Sequence, residues 1–297
     1  MKVLMKVLVI GSRGQLGHEL SFTKPAEIDL SAVDVDGLDI TDGAQVKRKI
    51  GDLRPDVVIN AAAYTAVDKA ETDRDAAFLV NAAGPGNIAR ACQSVGCRCI
   101  HVSTDFVFDG ASPLPYLPED EPHPLNVYGE SKYQGDKRVA EETNGQALIL
   151  RTAWVYSAHG NNFVKTMLGL MRDRERLTVI YDQVGSPTWA RTLATTIWTA
   201  IVSLPQAKGL YHWTDAGVAS WYDFAVAIQS EALALGLLEK AIPVLPIRTR
   251  QYPTPATRPA STVLDCSSTW NDFAISPVHW RVCLKEMLRE MVQEKHT

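Results

Sequence analysis

Apolar residues in the first half of the chain fall in short, nearly continuous runs. Each run is followed by a longer stretch with helical spacing of apolar and polar positions. Residues 6–10, 30–34, 56–60, 99–103 and 147–151 read as strands, and several are apolar almost throughout, as strands covered on both faces are. Residues 15–20, 41–53, 75–95 and 127–143 between them read as helices. Repeated alternation of strand and helix predicts a parallel, doubly wound sheet. After residue 151 the rhythm changes. Helical stretches at 162–173, 188–203, 221–235 and 278–293 are joined by proline-bearing segments, and Pro243, Pro246, Pro253, Pro255 and Pro259 crowd one stretch that must be largely loop or sheet edge. The expected architecture is α/β: a Rossmann-like doubly wound parallel sheet over residues 1–156, and a smaller α/β domain over 157–297 with some helices packing back on the first.

Composition changes this picture little. The 297 residues are 46% hydrophobic and 22% charged, ordinary for a globular chain with a real core. A net charge of −4 gives no reason to expect nucleic acid. The basic clusters Lys47-Arg48-Lys49 and 172–176 read as solvated helix faces. No apolar run reaches the ~20 residues that span a bilayer. The N-terminal lysines and apolar residues run straight into a glycine loop without a small-residue cleavage site, so they read as a first strand and not a signal peptide. The repeated Met-Lys-Val-Leu makes Met5 a second candidate start. The expected location is cytoplasmic, with no membrane partner. Cys92, Cys97, Cys99, Cys266 and Cys283 lack metal-ligand or redox spacing and read as free thiols.

Gly11-Ser12-Arg13-Gly14-Gln15-Leu16-Gly17 follows the first strand and opens a helix. Glycine at these points permits a tight turn and close approach of backbone to a pyrophosphate, which sits on the helix N-terminus. Asp34 ends the second strand about 20 residues on, where an acid binds a ribose diol. Asp34 argues for NADH, because a carboxylate repels a 2′-phosphate, and Arg13 argues for tolerance of NADPH. Asp39 and Ile40 are placed to flank the adenine. Ala61, Ala62 and Ala63 follow the third strand, where small side chains leave room for a dinucleotide.

Tyr128-Gly129-Glu130-Ser131-Lys132 carries the strongest chemical signal. On a helix the phenol and ammonium share one face. A neighbouring cation is expected to stabilise the phenolate and bring its pKa down from about 10. Ser103-Thr104-Asp105 ends the fourth strand, so that strand end and this helix should converge over the carboxyl edge of the sheet. Trp154 follows a strand end and is a candidate to stack on substrate; His101 alternates within a strand and reads as structural.

Glycine loop, strand-end hydroxyl and Tyr/Lys helix in this order resemble the short-chain dehydrogenase/reductase superfamily, in its extended branch acting on nucleotide sugars. Further segments stand in family order: Asn60 to Glu71, Ser103 to Gly110, Pro124 to Gly129, Arg151 to Tyr156, Asn161 to Val164, Gln183 to Thr188 and Tyr252 to Pro259. Together they are similar to the dTDP-4-dehydrorhamnose reductases over nearly the whole chain. The resemblance implies reduction of a C4 keto group on a nucleotide sugar by NADPH or NADH. It implies Tyr128 as proton donor, Lys132 as its partner and Thr104 near the reacting carbonyl. Tyr64 and Thr65 join the cofactor residues, while Val67, Asp105, Phe106, Trp154, Asn162 and Arg258 join the substrate residues. The first domain then binds NAD(P) and the second mainly binds substrate.

Three readings compete. A 4,6-dehydratase would carry Glu directly after Thr-Asp, where this chain has Phe106. A regulatory subunit resembling the methionine adenosyltransferase beta subunit shares the fold, but the intact Tyr128, Lys132 and Thr104 favour catalysis. Another nucleotide-sugar reductase stays open. Some bacterial relatives are thought to pair through magnesium held by glutamates. Glu19 and Glu290 are plausible counterparts of two of these, but Arg191 stands at the third position, and a guanidinium cannot ligate a hard cation. The expectation is no metal, a direct salt bridge in its place, and a monomer or weak homodimer.

Overall fold

The computed structural model describes residues 4–294. Six strands form one sheet: β1 (Met5–Ile10), β2 (Ile28–Val33), β3 (Val57–Asn60), β4 (Arg98–Thr104), β5 (Leu148–Thr152) and β6 (Gly209–His212), in the order β2-β1-β3-β4-β5-β6. All neighbouring pairs are parallel. The direction of winding reverses between β1 and β3, which opens a crevice at their carboxyl ends. The main helices are α1 (Gln15–Phe22), α2 (Gly43–Leu53), α3 (Gly84–Val95), α4 (Val127–Glu142), α5 (Phe163–Asp173), α6 (Ala190–Val202), α7 (Trp221–Ala234) and α8 (Trp280–Glu294). On one face Val46, Ile50, Ile88 and Val139 of α2, α3 and α4 pack on Leu8, Ile10, Val58 and Ile149. On the other, Leu16 and Leu20 of α1 and Leu193, Ile197 and Trp198 of α6 pack on Val7, Val9, Ile59 and Leu150. The doubly wound expectation holds, and its cause is visible: these strands are apolar on both faces and need two covers.

The strand β6 has no counterpart in the pattern reading. Its sequence, Gly-Leu-Tyr-His, carries no apolar run. It is a strand because β5 offers a free edge, and because the buried His212 ring bonds the Tyr116 carbonyl at 3.0 Å. Residues beyond 156 thus complete the main sheet with β6 and cover it with α6. The helix expected over 75–95 is also corrected. Arg74–Phe78 is α-helical, Leu79–Ala83 is a π turn, and α3 follows from Gly84. The extra residue of a π turn lets the buried Asn81 bond Tyr64 through both its backbone N–H and carbonyl (2.8 and 3.0 Å) and the Ser131 hydroxyl of α4 (3.0 Å).

A second core joins α5, α7 and α8 through Val164, Leu168, Phe224, Ile228, Leu284 and Leu288. Three small sheets frame it: Leu177–Ile180 with Val244–Ile247, Val155–Tyr156 with Thr188–Trp189, and Val184–Gly185 with Ala219–Ser220. Pro246 lies within a strand that pairs on one side only, where a missing N–H is tolerated. The cysteines are free, and all but the half-buried Cys97 are buried.

The helix α4 lies directly on its neighbours' backbone. A Cβ at Gly135 would stand 2.1 Å from the Asn81 carbonyl oxygen, whereas one at Gly51 in α2 would meet nothing within 4 Å. Gly135→Ala should therefore destabilise the chain by about 1–3 kcal/mol through overpacking, and Gly51→Ala should be neutral or stabilising by up to about 1 kcal/mol. Thermal melts of the two variants check this; equal midpoints would refute it.

Candidate active site

The glycine loop turns back from β1 and delivers α1. Gly11 has φ +88°, and a Cβ there would stand 2.6 Å from the Ala62 backbone nitrogen; one at Gly17 would stand 2.2 Å from the Gly11 carbonyl oxygen. The loop and the Ala61–Ala63 segment are in backbone contact for this reason. Gly14 is the N-cap of α1 and provides no side-chain acceptor for its first-turn amides, which suits that terminus to a phosphate. A cavity of about 310 Å³ lies beside it, bounded by Gly11, Gly14, Asp34, Asp39, Ile40, Ala61, Ala62 and Ala63. The Asp34 carboxylate accepts from the Arg13 backbone at 2.9 Å, and the Arg13 guanidinium reaches Asp34 at 3.4 Å and Asp36 at 2.9 Å. Burial raises the Asp34 pKa, but the Arg13 and Val35 N–H groups and the Arg13 side chain outweigh it and hold the carboxyl below its ordinary value.

A second cavity, about 500 Å³, continues from the first. Arg13, Gln15, Leu16, Ala61, Ala63, Thr65, Thr104, Asp105, Tyr128, Lys132 and Trp154 line it, so the three expected catalytic groups meet in one crevice. Their convergence has local causes. Asn126 caps α4 by accepting from Gly129 N–H at 2.8 Å. A Cβ at Gly129 would stand 2.1 Å from the Phe106 carbonyl oxygen, so the first turn of α4 sits against the turn that follows β4. The Thr104 hydroxyl bonds Asp105 at 3.1 Å, and Thr262 bonds the other Asp105 oxygen at 2.5 Å. Burial pushes Asp105 up to about 6, against those two hydroxyl bonds.

One electrostatic expectation needs correction. Lys132 does not draw the Tyr128 phenol down. Burial pushes that phenol up to about 12, with Asp105 and Asp136 adding to the rise and the Thr104 hydroxyl opposing it. The Lys132 ammonium instead donates to the Val102 carbonyl at 2.7 Å. Burial pulls Lys132 down to about 8, opposed by Asp136. The pair on one helix face is as expected, but desolvation dominates both groups.

Trp154 and Phe106 border a third cavity of about 760 Å³, which also takes in Trp221, Arg174, Arg176, Asp68 and Arg258. Trp154 adopts a left-handed backbone (φ +48°) and stacks on Trp221 with centroids 3.5 Å apart. Arg258 is held by Asp68 at 2.8 and 2.9 Å. Other sequence candidates lie elsewhere. Tyr64 bonds Asp73 at 3.2 Å. Val67 begins the short helix Val67–Ala70. Asn162 caps α5 and bonds Gln15 and the Ser157 carbonyl (2.9 and 2.7 Å). The pattern reading missed Trp221, Arg174 and Arg176. The two arginines are exposed, as a solvated face requires, but they stand at the cavity wall; only the fold of the second half brings them there.

Magnesium does not fit the glutamates that the resemblance suggested. Arg191 bonds Glu19 at 2.8 Å and Glu290 at 2.5 Å, and Ser157 occupies the other Glu19 oxygen at 2.9 Å. Among the described residues no group of three His, Cys, Asp or Glu side chains is placed to hold a metal.

A glycine loop at the winding reversal, opening on a Tyr/Lys helix and a strand-end threonine, is the layout of a dinucleotide-dependent reductase of the short-chain class. A profile of the family described as "RmlD substrate binding domain" matches residues 5–293, and the chain belongs to that family. It is 41% identical to the dTDP-4-dehydrorhamnose reductase of Escherichia coli K12 over 97% of this chain and 98% of that protein. It is 38% identical to the spore coat polysaccharide biosynthesis protein SpsK of Bacillus subtilis, covering 97% and 98%. The crystal structure of Bacillus anthracis dTDP-4-dehydrorhamnose reductase in complex with NADP superposes with a TM-score of 0.91 at 37% identity, covering 97% of this chain and 99% of that one. A Thermus thermophilus UDP-glucose 4-epimerase, 19% identical with a TM-score of 0.80, shares the fold.

Glu19 is 1% exposed, and Arg191 has about a fifth of its side chain exposed. Removing the guanidinium strands a buried carboxylate, so Arg191→Ala should lose roughly 3 kcal/mol, while excess EDTA should leave the parent's melting midpoint unchanged. Calorimetry checks both. A parent that melts lower under EDTA would show that a metal is held after all.

Proposed function

We propose that the chain reduces the C4 keto group of dTDP-4-dehydro-6-deoxy-L-mannose to give dTDP-L-rhamnose, a precursor of cell-surface polysaccharide, in a cytoplasmic setting. The observation that carries this reading is the meeting of Tyr128, Lys132 and Thr104 in one crevice that runs on into the glycine-loop cavity. The first cavities suit NAD(P)H: the N-terminus of α1 takes the pyrophosphate, Asp34 and Arg13 lie at the ribose end, and Asp39 and Ile40 flank the adenine. Bound NAD(P)H supplies the hydride. The Tyr128 phenol, kept protonated at neutral pH by burial, gives its proton to the oxygen that develops negative charge at C4. The Thr104 hydroxyl orients the carbonyl and hydrogen-bonds the same oxygen as charge grows. Lys132 holds positive charge close by and is free to exchange its bond to the Val102 carbonyl for one to the nicotinamide ribose.

Trp154 borders both the reacting end and the 760 Å³ cavity, which accommodates the nucleoside diphosphate with Arg258 beside it. The intact catalytic groups and the names of the relatives support this reading over a regulatory subunit. With Arg191 already satisfying Glu19 and Glu290, a monomer or weak homodimer is the form proposed; light scattering with and without chelator reports on it.

Two substitutions test the assignments. Tyr128→Phe keeps the ring for packing and removes the proton, so kcat should fall at least about a hundredfold with little change in cofactor affinity. Turnover within a few fold of the parent would remove Tyr128 from the chemistry. Asp34→Ala should weaken NADH by roughly tenfold or more and NADPH less, because only the free diol offers hydroxyl donors to the carboxylate. Binding titrations with both dinucleotides decide it, and equal losses would make Asp34 a loop residue that serves only Arg13 and Val35.

A further inference from the structure

Asp105 opens the short turn that follows β4 and is 3% exposed. Its two carboxylate oxygens have separate partners. The Thr104 hydroxyl bonds Oδ1 at 3.1 Å, and the Thr262 hydroxyl bonds Oδ2 at 2.5 Å. Thr262 is as buried as Asp105 and comes from the other half of the chain, 157 residues further on. Above a pH of about 6 the carboxyl is ionised and can only accept, so both hydroxyls donate to it. Arg258, on the same segment as Thr262, is already held by Asp68 at 2.8 and 2.9 Å. Among the described residues Thr104 and Thr262 are the side chains that donate to Asp105.

Backbone contacts on both sides set the place of Thr262. The Val184 N–H donates to the Ala260 carbonyl at 2.8 Å and the Thr262 N–H to the Val184 carbonyl at 2.9 Å, so residues 260–262 run beside Val184 as a parallel bridge. Just beyond, the Tyr116 N–H donates to the Val263 carbonyl and the Asp265 N–H to the Tyr116 carbonyl, both at 2.8 Å. Gly110 (φ +76°) lies against the same segment, where a Cβ would stand 2.7 Å from the Ala260 nitrogen. Held in this way, Thr262 lines the 760 Å³ cavity, while Asp105 lines the 500 Å³ cavity with Thr104 and Tyr128. The hydrogen bond between them joins a wall of one cavity to a wall of the other.

The two bonds to Asp105 are not equivalent in the reaction. Thr104 has one proton to give. When it turns that proton to the oxygen at C4, Oδ1 loses its hydroxyl donor and is left to accept from the substrate. The sugar ring carries a hydroxyl on the carbon beside the keto group, and a hydroxyl is the donor that an ionised carboxylate accepts. We propose that Thr262 is a positioning residue for the sugar: its hydroxyl keeps hold of Oδ2 and fixes the Asp105 carboxylate, so that Oδ1, released by Thr104, accepts a ring hydroxyl next to the keto carbon. This inference rests on the reductase reading and extends it to a residue that does not itself line the crevice. Without Thr262, Oδ2 would be buried unpaired, which costs more than the bond itself contributes. The carboxyl then turns or takes up a proton, and Oδ1 is no longer a fixed acceptor.

The test is isothermal titration of the NADP⁺-loaded chain with dTDP-L-rhamnose and, separately, with dTDP, which has no sugar. Thr262→Val keeps the side chain's shape and the backbone bond to Val184 and removes the hydroxyl. It should weaken dTDP-L-rhamnose roughly tenfold or more, the worth of a hydrogen bond to a charged group, and leave dTDP and NADP⁺ at the parent's affinity. Thr262→Ser should restore what is lost. A purely structural role would move the two nucleotides together. If Thr262→Val does not fold, Thr262→Ala removes the same hydroxyl and should give the same split. Equal losses for dTDP and dTDP-L-rhamnose, or no loss for either, in a folded variant lacking the hydroxyl overturn the proposal, as does a Thr262→Ser that recovers nothing. Turnover of the parent keeps the two readings apart. An active parent whose affinity Thr262→Val leaves unmoved sinks this inference alone, whereas a parent inactive with NAD(P)H and the keto sugar removes the reductase reading and this inference with it.

Discussion

Backbone contact between α4 and the carboxyl edge of the sheet is the constraint on which the site depends. Gly129 rests on the Phe106 carbonyl and Gly135 on the Asn81 carbonyl, each with no room for a Cβ. With both contacts made, the helix lies low enough for Tyr128 to reach the strand-end Thr104 and for Lys132 to reach the Val102 carbonyl. The π turn at Leu79–Ala83 belongs to the same contact: it presents the Asn81 carbonyl to Gly135 and the Asn81 amide to Ser131. A regular α-helix through this stretch would place those groups differently.

The close approach also sets the electrostatics. A helix seated this tightly excludes water from its inner face, so desolvation is the largest influence on Tyr128, Lys132 and Asp105 alike. It raises the two acids and lowers the amine, moving each toward its neutral form. What remains charged does so through partners inside the fold. Arg151 holds Asp136, and on the opposite side of the sheet Arg191 holds the buried Glu19. In a low-dielectric interior such pairs are expensive to break from one side only, which makes them fixed points of the structure.

Much of this was legible in the chain. The five strands of the first half, the helices between them and the glycine loop follow from apolar periodicity and local turn chemistry, which act over a few residues. The pairing of Tyr128 with Lys132 follows from helical spacing, and the incompatibility of Arg191 with a hard cation follows from the chemistry of its side chain. Less legible were elements stabilised from outside themselves. β6 has no apolar run and exists because β5 has an edge to fill. The π turn runs straight into Gly84-Pro85-Gly86, whose proline has no N–H to offer the Asn81 carbonyl four residues back, but apolar periodicity alone carries that stretch on as one helix.

The amino-acid sequence by itself determined the fold class, the position of the glycine loop and the placing of Tyr128 and Lys132 on one helix face, because each is carried by local spacing or by one residue type at one place. The tertiary structure decided the state of those groups. Whether Lys132 draws the Tyr128 phenol down or burial pushes that phenol up depends on how much water α4 excludes. Whether Arg174 and Arg176 face bulk solvent or a cavity wall depends on where the second half of the chain folds back. Both are consequences of burial and long-range contact, and no window of sequence contains either.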